Sequence, residues 1–325
     1  MRLDVKSRLV TVVLFTAFVT SATAQTYPTK PVRLVIPSTP SGSLDITGRK
    51  LGQYLSPLLG QPVVIDNVPG AGNAIGTGEV AHARPDGYVL LLGASSGVIL
   101  SPLIVKNPTY DGIRDLTAVS LLGLQYIVVA AGPGLPAKSF REMITLFRAN
   151  PGKHSYASIG VGAITHLGGE VMNSMAKTSV VHVPYKGAGP ALNDVIAGRV
   201  EIAPMTSVSV WSHYKSGKLR ILASMSEERL PTLPDVPTTA ELGFPGMVMS
   251  TFNGLFAPSA TPRAIVNQLH QATSKVLANQ NFQQDLENMG LMLPPPRTPE
   301  QTQRYLVEFA ERVKPIIKSA DIKEE

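Results

Sequence analysis

The stretch VRLVIPSTPSGSLDITGR, residues 32–49, joins an apolar strand to a helix through a loop of small polar residues. The strand occupies residues 32–37, and leucines at helical spacing over residues 44–59 predict the helix. The same alternation continues along the chain, with further apolar runs at residues 62–66, 88–93 and 125–132. Near-continuous apolar strands that alternate with helices predict an α/β fold with parallel-type sheets covered by helices.

The composition narrows the class of protein. The 325 residues are enough for about two domains, and the 44% of apolar residues supply a core. The formal net charge is +6, but lysines and arginines are scattered, so a nucleic-acid-binding protein is not indicated. The chain has no cysteine, which excludes disulfides, thiol catalysis and thiolate metal sites.

Residues 1–24 have the pattern of a signal peptide. A positively charged start is followed by an apolar run over residues 9–20 and by the small-x-small sequence Ala22-Thr23-Ala24. The apolar run is too short to span a membrane. We therefore expect an exported protein that is cleaved near Ala24.

The loop after the first strand has the composition of an anion site. Its hydroxyls, its glycine and the unpaired N–H groups of the following helix can approach a carboxylate without any lysine or arginine. The alternative interpretation is that Ser43 only caps the helix, with Asp45 placed favourably for the helix dipole. The residues predicted to bind a ligand here are Ser38, Thr39, Ser41, Gly42 and Ser43.

A second loop, GASSG at residues 93–97, matches the G-x-S-x-G pattern of a hydrolase nucleophile. Four histidines that could complete a triad follow it: His154, His166, His182 and His213. Pro102 argues against the long helix that this motif requires. The other interpretation is a hydroxyl-lined ligand loop at a strand end, where open α/β sheets bind their ligands. It assigns ligand contacts to Ser95 and Ser96.

Two later loops, at residues 160–166 and 185–190, again join a strand to a helix. The first of them adds Gly162, Ala163 and Thr165 as ligand-binding candidates, and plain turn and capping chemistry is the alternative. His166 with Glu170 is a spacing that arises often by chance, and the glycine run at residues 70–78 misses the dinucleotide fingerprint by one residue. We expect no metal and no cofactor.

Ordered motifs extend over nearly all of the chain after the signal peptide. They read YPTKPVRLVIP, LGQPVVIDNVPGAGNAIGTGEVAHARPDGYVLLLGASSG, NPGKHSYASIGVG, THLGGE, VHVPYKGAGPALNDVIAGRVEI, GKLRILA and LPDVPTTAELGFPG. In these motifs the chain resembles the Bug family, the extracytoplasmic solute-binding proteins of tripartite tricarboxylate transporters.

The resemblance implies a two-lobed periplasmic-binding-protein fold with two chain crossings. Lobe 1 would comprise residues 25–123 and 249–325, and lobe 2 residues 124–248. The ligand would be a small carboxylate, often a dicarboxylate, held between the lobes by N–H groups, hydroxyls and waters. The implied partners are the membrane permease subunits of a tripartite transporter, and the protein itself would be a monomer.

The chain departs from this family at several ligand-loop positions. Relatives commonly carry threonine or serine where this chain has Ala163, and many carry aspartate or asparagine where it has Met205. An aspartate there could pair with a ligand ammonium, so its absence argues against an amino acid. Ala163 and Met205 predict a more apolar wall, which suits a carboxylate with a larger apolar or aromatic body.

The sequence therefore predicts a periplasmic solute-binding protein, and not an enzyme, that captures a small organic carboxylate for a tripartite tricarboxylate-type transporter. Two alternatives stay open. One is an exported serine hydrolase that uses Ser95, and the other is a ligand-sensing binding protein without a transport role.

Overall fold

The computed structural model describes residues 27–288 and 291–319, and the predicted signal peptide lies outside them. The strands are β1 (Val32–Ile36), β2 (Val63–Asn67), β3 (Val89–Ala94), β4 (Leu116–Ala131), β5 (Ser155–Ser158), β6 (Val181–Pro184), β7 (Ile202–Thr206), β8 (Arg220–Ser224) and β9 (Ser250–Pro258). The α-helices are α1 (Ser43–Leu59), α2 (Ala74–Ala81), α3 (Ser101–Ile104), α4 (Phe140–Ala149), α5 (Ile164–Ala176), α6 (Ala188–Ile196), α7 (Ser207–Lys215), α8 (Arg263–Leu277), α9 (Gln280–Asn288) and α10 (Pro299–Ser319).

The strands form a continuous sheet in the order β2-β1-β3-β9-β4-β7-β5-β6, and β8 pairs with β4 beside this path. β1 pairs in parallel with β2 and β3, and β5 pairs in parallel with β6 and β7. The predicted α/β class is confirmed. β4 and β9 run antiparallel to their neighbours and lie in the middle of the sheet, a feature that the alternation of the sequence does not predict.

β4 changes partners along its length. Up to Tyr126 it pairs with β9, and from Ile127 onward it pairs with β7, while β8 pairs with it from Val128. We call the group around β1, β2, β3 and β9 the first half, and the group around β5, β6, β7 and β8 the second half. The chain passes from the first half to the second along β4 and returns at the start of β9.

α1 follows directly from the local sequence. Leu44, Leu51 and Leu55 recur at helical spacing and are buried against the sheet. A Cβ at Gly48 would lie 2.3 Å from Cδ1 of Ile36, so only glycine lets the helix lie this close to β1. The helix thus packs onto β1 with its N-terminus at the edge of the sheet where β1 ends.

Local sequence also sets the ends of α4. Ser139 and Glu142 have the spacing of a capping box, and Ser139 Oγ accepts a hydrogen bond of 3.2 Å from the Glu142 backbone N–H. α10 contributes Tyr305 and Phe309 to an aromatic cluster around Phe252 of β9, with ring centroids 5.9 and 5.2 Å from Phe252. Within residues 27–288 and 291–319, no helix combines the length and apolar character needed to cross a membrane.

Candidate functional site

A cavity of about 550 Å³ lies between the two halves, where strands of both groups end. β1, β3, β5, β6 and β7 all lead into it at their carboxyl ends, which is where open α/β sheets bind ligands. Its lining is Pro37, Ser38, Gly42, Ser43, Leu44, Asn73, Ala94, Ser96, Ile159, Ile164, Thr165, Lys186, Gly187, Ala188, Met205, Thr206, Ser209, Thr251 and Asn253.

Four helices begin at this cavity. The first residues of α1, α5 and α6 line it, as does Thr206, the N-cap of α7. The first N–H groups of a helix have no intrahelical acceptor and carry a partial positive charge. Among the described residues, Lys186 is the one ionisable side chain in the lining, and it lies in the second half. The arrangement therefore suits an anion.

The first loop has an unusual backbone conformation. Ser41 has φ +68°, a left-handed conformation that costs energy for a residue with a Cβ. The N-cap of α1 is Gly42, and no side chain caps the helix, so Ser43 is not the cap. Of the predicted residues, Ser38, Gly42 and Ser43 line the cavity, whereas Thr39 and Ser41 line a second pocket of about 1730 Å³ outside it.

Asp45 holds this loop in place. Its Oδ2 accepts hydrogen bonds from the Ser41 backbone N–H at 2.9 Å and from Arg49 Nε at 3.0 Å. Its Oδ1 accepts from Asn67 Nδ2 at 3.0 Å. Burial alone would raise the pKa of Asp45, but these hydrogen bonds and the charge of Arg49 hold it below the usual value. The carboxylate is thereby kept ionised under the loop.

The two serines of the second loop differ in position. Ser95 is fully buried, and its Oγ lies 2.7 Å from Thr251 Oγ1. Ser96 lines the cavity, and its Oγ accepts a hydrogen bond of 3.0 Å from the Ile164 backbone N–H. Since Ile164 belongs to α5, this bond joins the two halves across the cavity.

The predicted ligand-binding residues of the third loop also differ in position. Thr165 lines the cavity, and its Oγ1 accepts from the Ile159 N–H at 3.0 Å. Gly162 has φ +75° and donates its N–H to His166 Nδ1, while Ala163 is the buried N-cap of α5. The structure places these two residues beside the cavity lining and does not include them in it. Met205, in contrast, lines the cavity at the end of β7.

Six polar lining residues were not among the predicted site residues: Asn73, Lys186, Thr206, Ser209, Thr251 and Asn253. Asn73 lies within the glycine run that the sequence relates to a nucleotide motif. Thr251 and Asn253 lie on β9, and no alternating apolar pattern marks this segment as a strand. The only sequence signal for these lining residues was that they are isolated polar residues in a segment with little charge.

The apolar part of the lining is built by Leu44 from the first half and by Ile159, Ile164 and Met205 from the second. Within the described residues, no Asp or Glu lines the cavity. In the same residues, no group of three His, Cys, Asp or Glu is arranged to hold a metal ion. The site thus combines anion-binding groups with apolar walls.

A histidine stack lies behind the third loop. The rings of His166 and His182 are parallel, with centroids 3.9 Å apart, and Tyr156 stacks on His182 at 5.0 Å. Burial lowers the pKa of His166 to about 4. Burial, reinforced by the charge of a protonated His166, lowers the pKa of His182 to about 3. Both rings are therefore neutral in the folded protein at neutral pH.

We expect this stack to make the protein sensitive to mild acid. The unfolded chain takes up protons near pH 6.5, whereas the folded chain resists them down to about pH 4. Stability should therefore be full above about pH 6.5 and fall by on the order of 3 kcal/mol towards pH 4. Thermal unfolding between pH 7.5 and 4 measures this loss of stability. The double variant His166→Gln/His182→Gln should flatten the profile and His82→Gln should not; an unchanged slope in the double variant would contradict the assignment.

Comparison with known proteins gives one family match and several similar proteins. Residues 47–322 match the family described as "Tripartite tricarboxylate transporter family receptor". The chain is 34% identical over 310 residues to a UPF0065 protein of Bordetella pertussis strain Tohama I, covering 95% of each protein. It is 33% identical over 301 residues to Protein BugT of the same strain, covering 92% of each.

Solved structures share the same fold. Periplasmic binding protein BugD superimposes with a TM-score of 0.88 at 31% identity, over 92% of this chain and 100% of BugD. R. palustris Rpa4515 with adipate gives 0.88 at 29% identity, over 91% and 99%. MatC (Rpa3494) from Rhodopseudomonas palustris with bound malate gives 0.86 at 29% identity, over 90% and 100%.

Proposed function

Because the chain belongs to the receptor family of tripartite tricarboxylate transporters, the family of the Bug proteins, we propose that it captures a small organic carboxylate in this cavity and delivers it to membrane permease subunits. The fold is the two-lobed periplasmic-binding-protein fold of this family.

One observation carries the carboxylate assignment. The N-termini of α1, α5 and α6 and the N-cap of α7 meet at a cavity that contains Lys186 and, in the described chain, no carboxylate side chain. A carboxylate bound there would receive hydrogen bonds from N–H groups and hydroxyls and would be favoured by the helix dipoles. The structures of Rpa4515 with adipate and MatC with malate support the same ligand class by similarity.

The proposed contacts fall into two groups. One carboxylate would be held in the first half by residues at the ends of β1 and β3. The remainder of the ligand would contact the second half. The predicted ligand-binding residues that line the cavity are Ser38, Gly42, Ser43, Ser96, Thr165 and Met205. The other predicted residues would support the lining from outside it. Those behind the lining are Ser95, Gly162 and Ala163, and those at the rim of the cavity are Thr39 and Ser41.

Capture would work by closure of two lobes. We assign residues 25–123 and 249–325 to lobe 1 and residues 124–248 to lobe 2. The change of partners along β4 supports a hinge near residues 123–127, and the start of β9 supports one near residue 249. A ligand that contacts both lobes binds the closed state more tightly and so shifts the population towards it.

The proposed site of action is the periplasm, after removal of residues 1–24. The family is one of periplasmic binding proteins, which supports export. A role as a ligand sensor without transport would use the same site, and copurification with permease subunits or with a sensor kinase would distinguish the two.

The hydrolase alternative meets a structural difficulty. Ser95 is buried and hydrogen-bonded to Thr251, not to a histidine. Three of the four candidate histidines have contacts of their own: His154 with Glu201, and His166 and His182 with each other. A fluorophosphonate probe for active serines should leave the protein unlabelled, and labelling at Ser95 would revive this alternative.

Thermal unfolding against a panel of carboxylates tests the proposed function. The panel holds citrate, C4 to C6 dicarboxylates, amino acids, and benzene mono- and dicarboxylates. A ligand at about 100 times its Kd stabilises the folded protein by about 2.7 kcal/mol, which raises Tm measurably. We expect a shift with at least one carboxylate and none with the matching amide. The absence of any shift would contradict the ligand class.

A further inference from the structure

We propose that the ligand carries a hydroxyl group in addition to its carboxylate, and that Asn253, which lines the cavity together with Asn73, accepts the hydrogen bond that this hydroxyl donates. The inference rests on the carboxylate-binding function proposed above and adds the substrate class. Both side chains belong to the first half and line the cavity. Asn73 is 5% exposed and Asn253 is 1% exposed.

The orientation of the Asn253 amide follows from its neighbour. The hydroxyl of Thr47 donates its proton to the Ser43 carbonyl at 2.8 Å, so Thr47 Oγ1 can only accept from Asn253. The atom of Asn253 that faces Thr47, at 3.4 Å, must therefore be Nδ2. Asn253 Oδ1 is left as a buried acceptor without a protein partner.

The orientation of Asn73 is fixed in the same way. It lies 2.6 Å from the carbonyl oxygen of Pro37, and a carbonyl only accepts, so the contacting atom is Nδ2. Its Oδ1 is then the atom left to accept a hydrogen bond. Asn73 has φ +82°, a conformation that asparagine tolerates better than most residues.

These two acceptors differ from the rest of the site. The helix N-termini and Lys186 offer donors, which a carboxylate satisfies, but a carboxylate cannot donate to Asn73 or Asn253. Asn253 Oδ1 needs a donor from the ligand, since a buried acceptor without a partner costs free energy. An ammonium would need a negative partner, and among the described residues no Asp or Glu lines the cavity. The geometry therefore favours a hydroxyl over an ammonium.

The consequence is selectivity among carboxylates of similar size. A site built to hydrogen-bond a hydroxyl discriminates strongly against the analogue that lacks it, because the buried polar groups of the site are then unpaired. We expect a hydroxycarboxylate to bind about 10-fold or more tightly than its deoxy analogue. A deoxy acid should still bind through the helix N-termini.

Isothermal titration with matched acids tests the proposal. Each set holds a hydroxy acid, its deoxy analogue and its amino analogue: malate, succinate and aspartate; mandelate, phenylacetate and phenylglycine; lactate, propionate and alanine. In whichever set binds, the hydroxy acid should be the tightest. Equal binding of hydroxy and deoxy acids would overturn the hydroxyl inference and leave the proposed function standing. Tighter binding of the amino acid would also overturn it. No binding in any set would count against the proposed function itself.

Two variants assign the selectivity to Asn253. Asn253→Leu removes the acceptor and keeps the γ-branched shape of the side chain, and it should bring the hydroxy-to-deoxy ratio close to one while the deoxy acid keeps its affinity. Asn253→Ala is the second variant, needed if the larger leucine prevents folding. Asn267→Leu, on the exposed surface of α8, is the matched control and should keep the ratio of the unmodified protein. A ratio that persists in both cavity variants would overturn the assignment.

Discussion

Replacing Gly187 with alanine is expected to weaken ligand binding about 5- to 150-fold while the protein remains folded. Gly187 has φ 163°, an extended backbone that any residue adopts, so the substitution causes no local strain. A Cβ at this position would lie 2.5 Å from Oγ1 and 2.8 Å from Cγ2 of Thr39. Thr39 belongs to the first half and Gly187 to the second, so the clash arises only when the two halves meet.

The neighbouring glycine supplies a matched control. A Cβ at Gly189 would have only two contacts, both at 3.9 Å, with Pro40 O and Thr39 Oγ1. Gly189→Ala should therefore keep nearly full affinity, and Gly187→Ala/Thr39→Gly should recover part of what Gly187→Ala loses. Titration calorimetry gives the affinities, and thermal unfolding without ligand should give similar Tm values for all variants. Full affinity in Gly187→Ala would contradict ligand capture by closure at this contact.

Replacing Asp45 with alanine is expected to destabilise the protein by about 2–4 kcal/mol and to abolish most of its ligand affinity. The substitution removes the acceptor of the Ser41 N–H, of Asn67 Nδ2 and of the Arg49 guanidinium. Ser41 then loses the contact that offsets its left-handed backbone. The loop that precedes α1 should become disordered, and this loop forms the first-half wall of the cavity.

Urea unfolding and ligand titration measure the two effects of Asp45→Ala. Asp285 offers a control, since its carboxylate pairs with Lys50 at 2.9 Å where both side chains are about one-third exposed. Asp285→Ala should cost less than about 1 kcal/mol, because exposed ion pairs contribute little. Asp45→Asn should fall between, since an amide oxygen can still accept from Ser41. A loss in Asp45→Ala no larger than in Asp285→Ala would show that Asp45 does not organise the loop.

The local pattern of the sequence predicted most of the elements and the family. The helix predicted over residues 44–59 is observed as α1, and the capping box at Ser139 and Glu142 accounts for the start of α4. The resemblance to the Bug family and the two-lobed binding-protein fold are confirmed by the family match and by the BugD structure. The helices and strands can be predicted from the sequence because capping, helical periodicity and buried strands depend on residues close together in the chain.

The sequence predicted only the part of the candidate site that lies on loops at strand ends. The sequence placed ligand loops after β1, β3 and β5, and six of the eleven predicted residues line the cavity. Their role as ligand contacts remains a prediction. β9 was not predicted, because STFNGLFAP mixes small polar and apolar residues without a regular period.

The alternating elements, the small hydroxyl-rich loops and the absence of cysteine chemistry follow from the amino-acid sequence alone, because each depends on residue type and short spacing. Only the tertiary structure inserted β9 between β3 and β4, and so brought Asn253 to the cavity that Asn73, 180 positions earlier in the chain, also lines. Only the structure set Gly187 against Thr39 and Ser96 against Ile164. Such contacts depend on how the sheet and its crossings fold back on themselves, which no local pattern encodes.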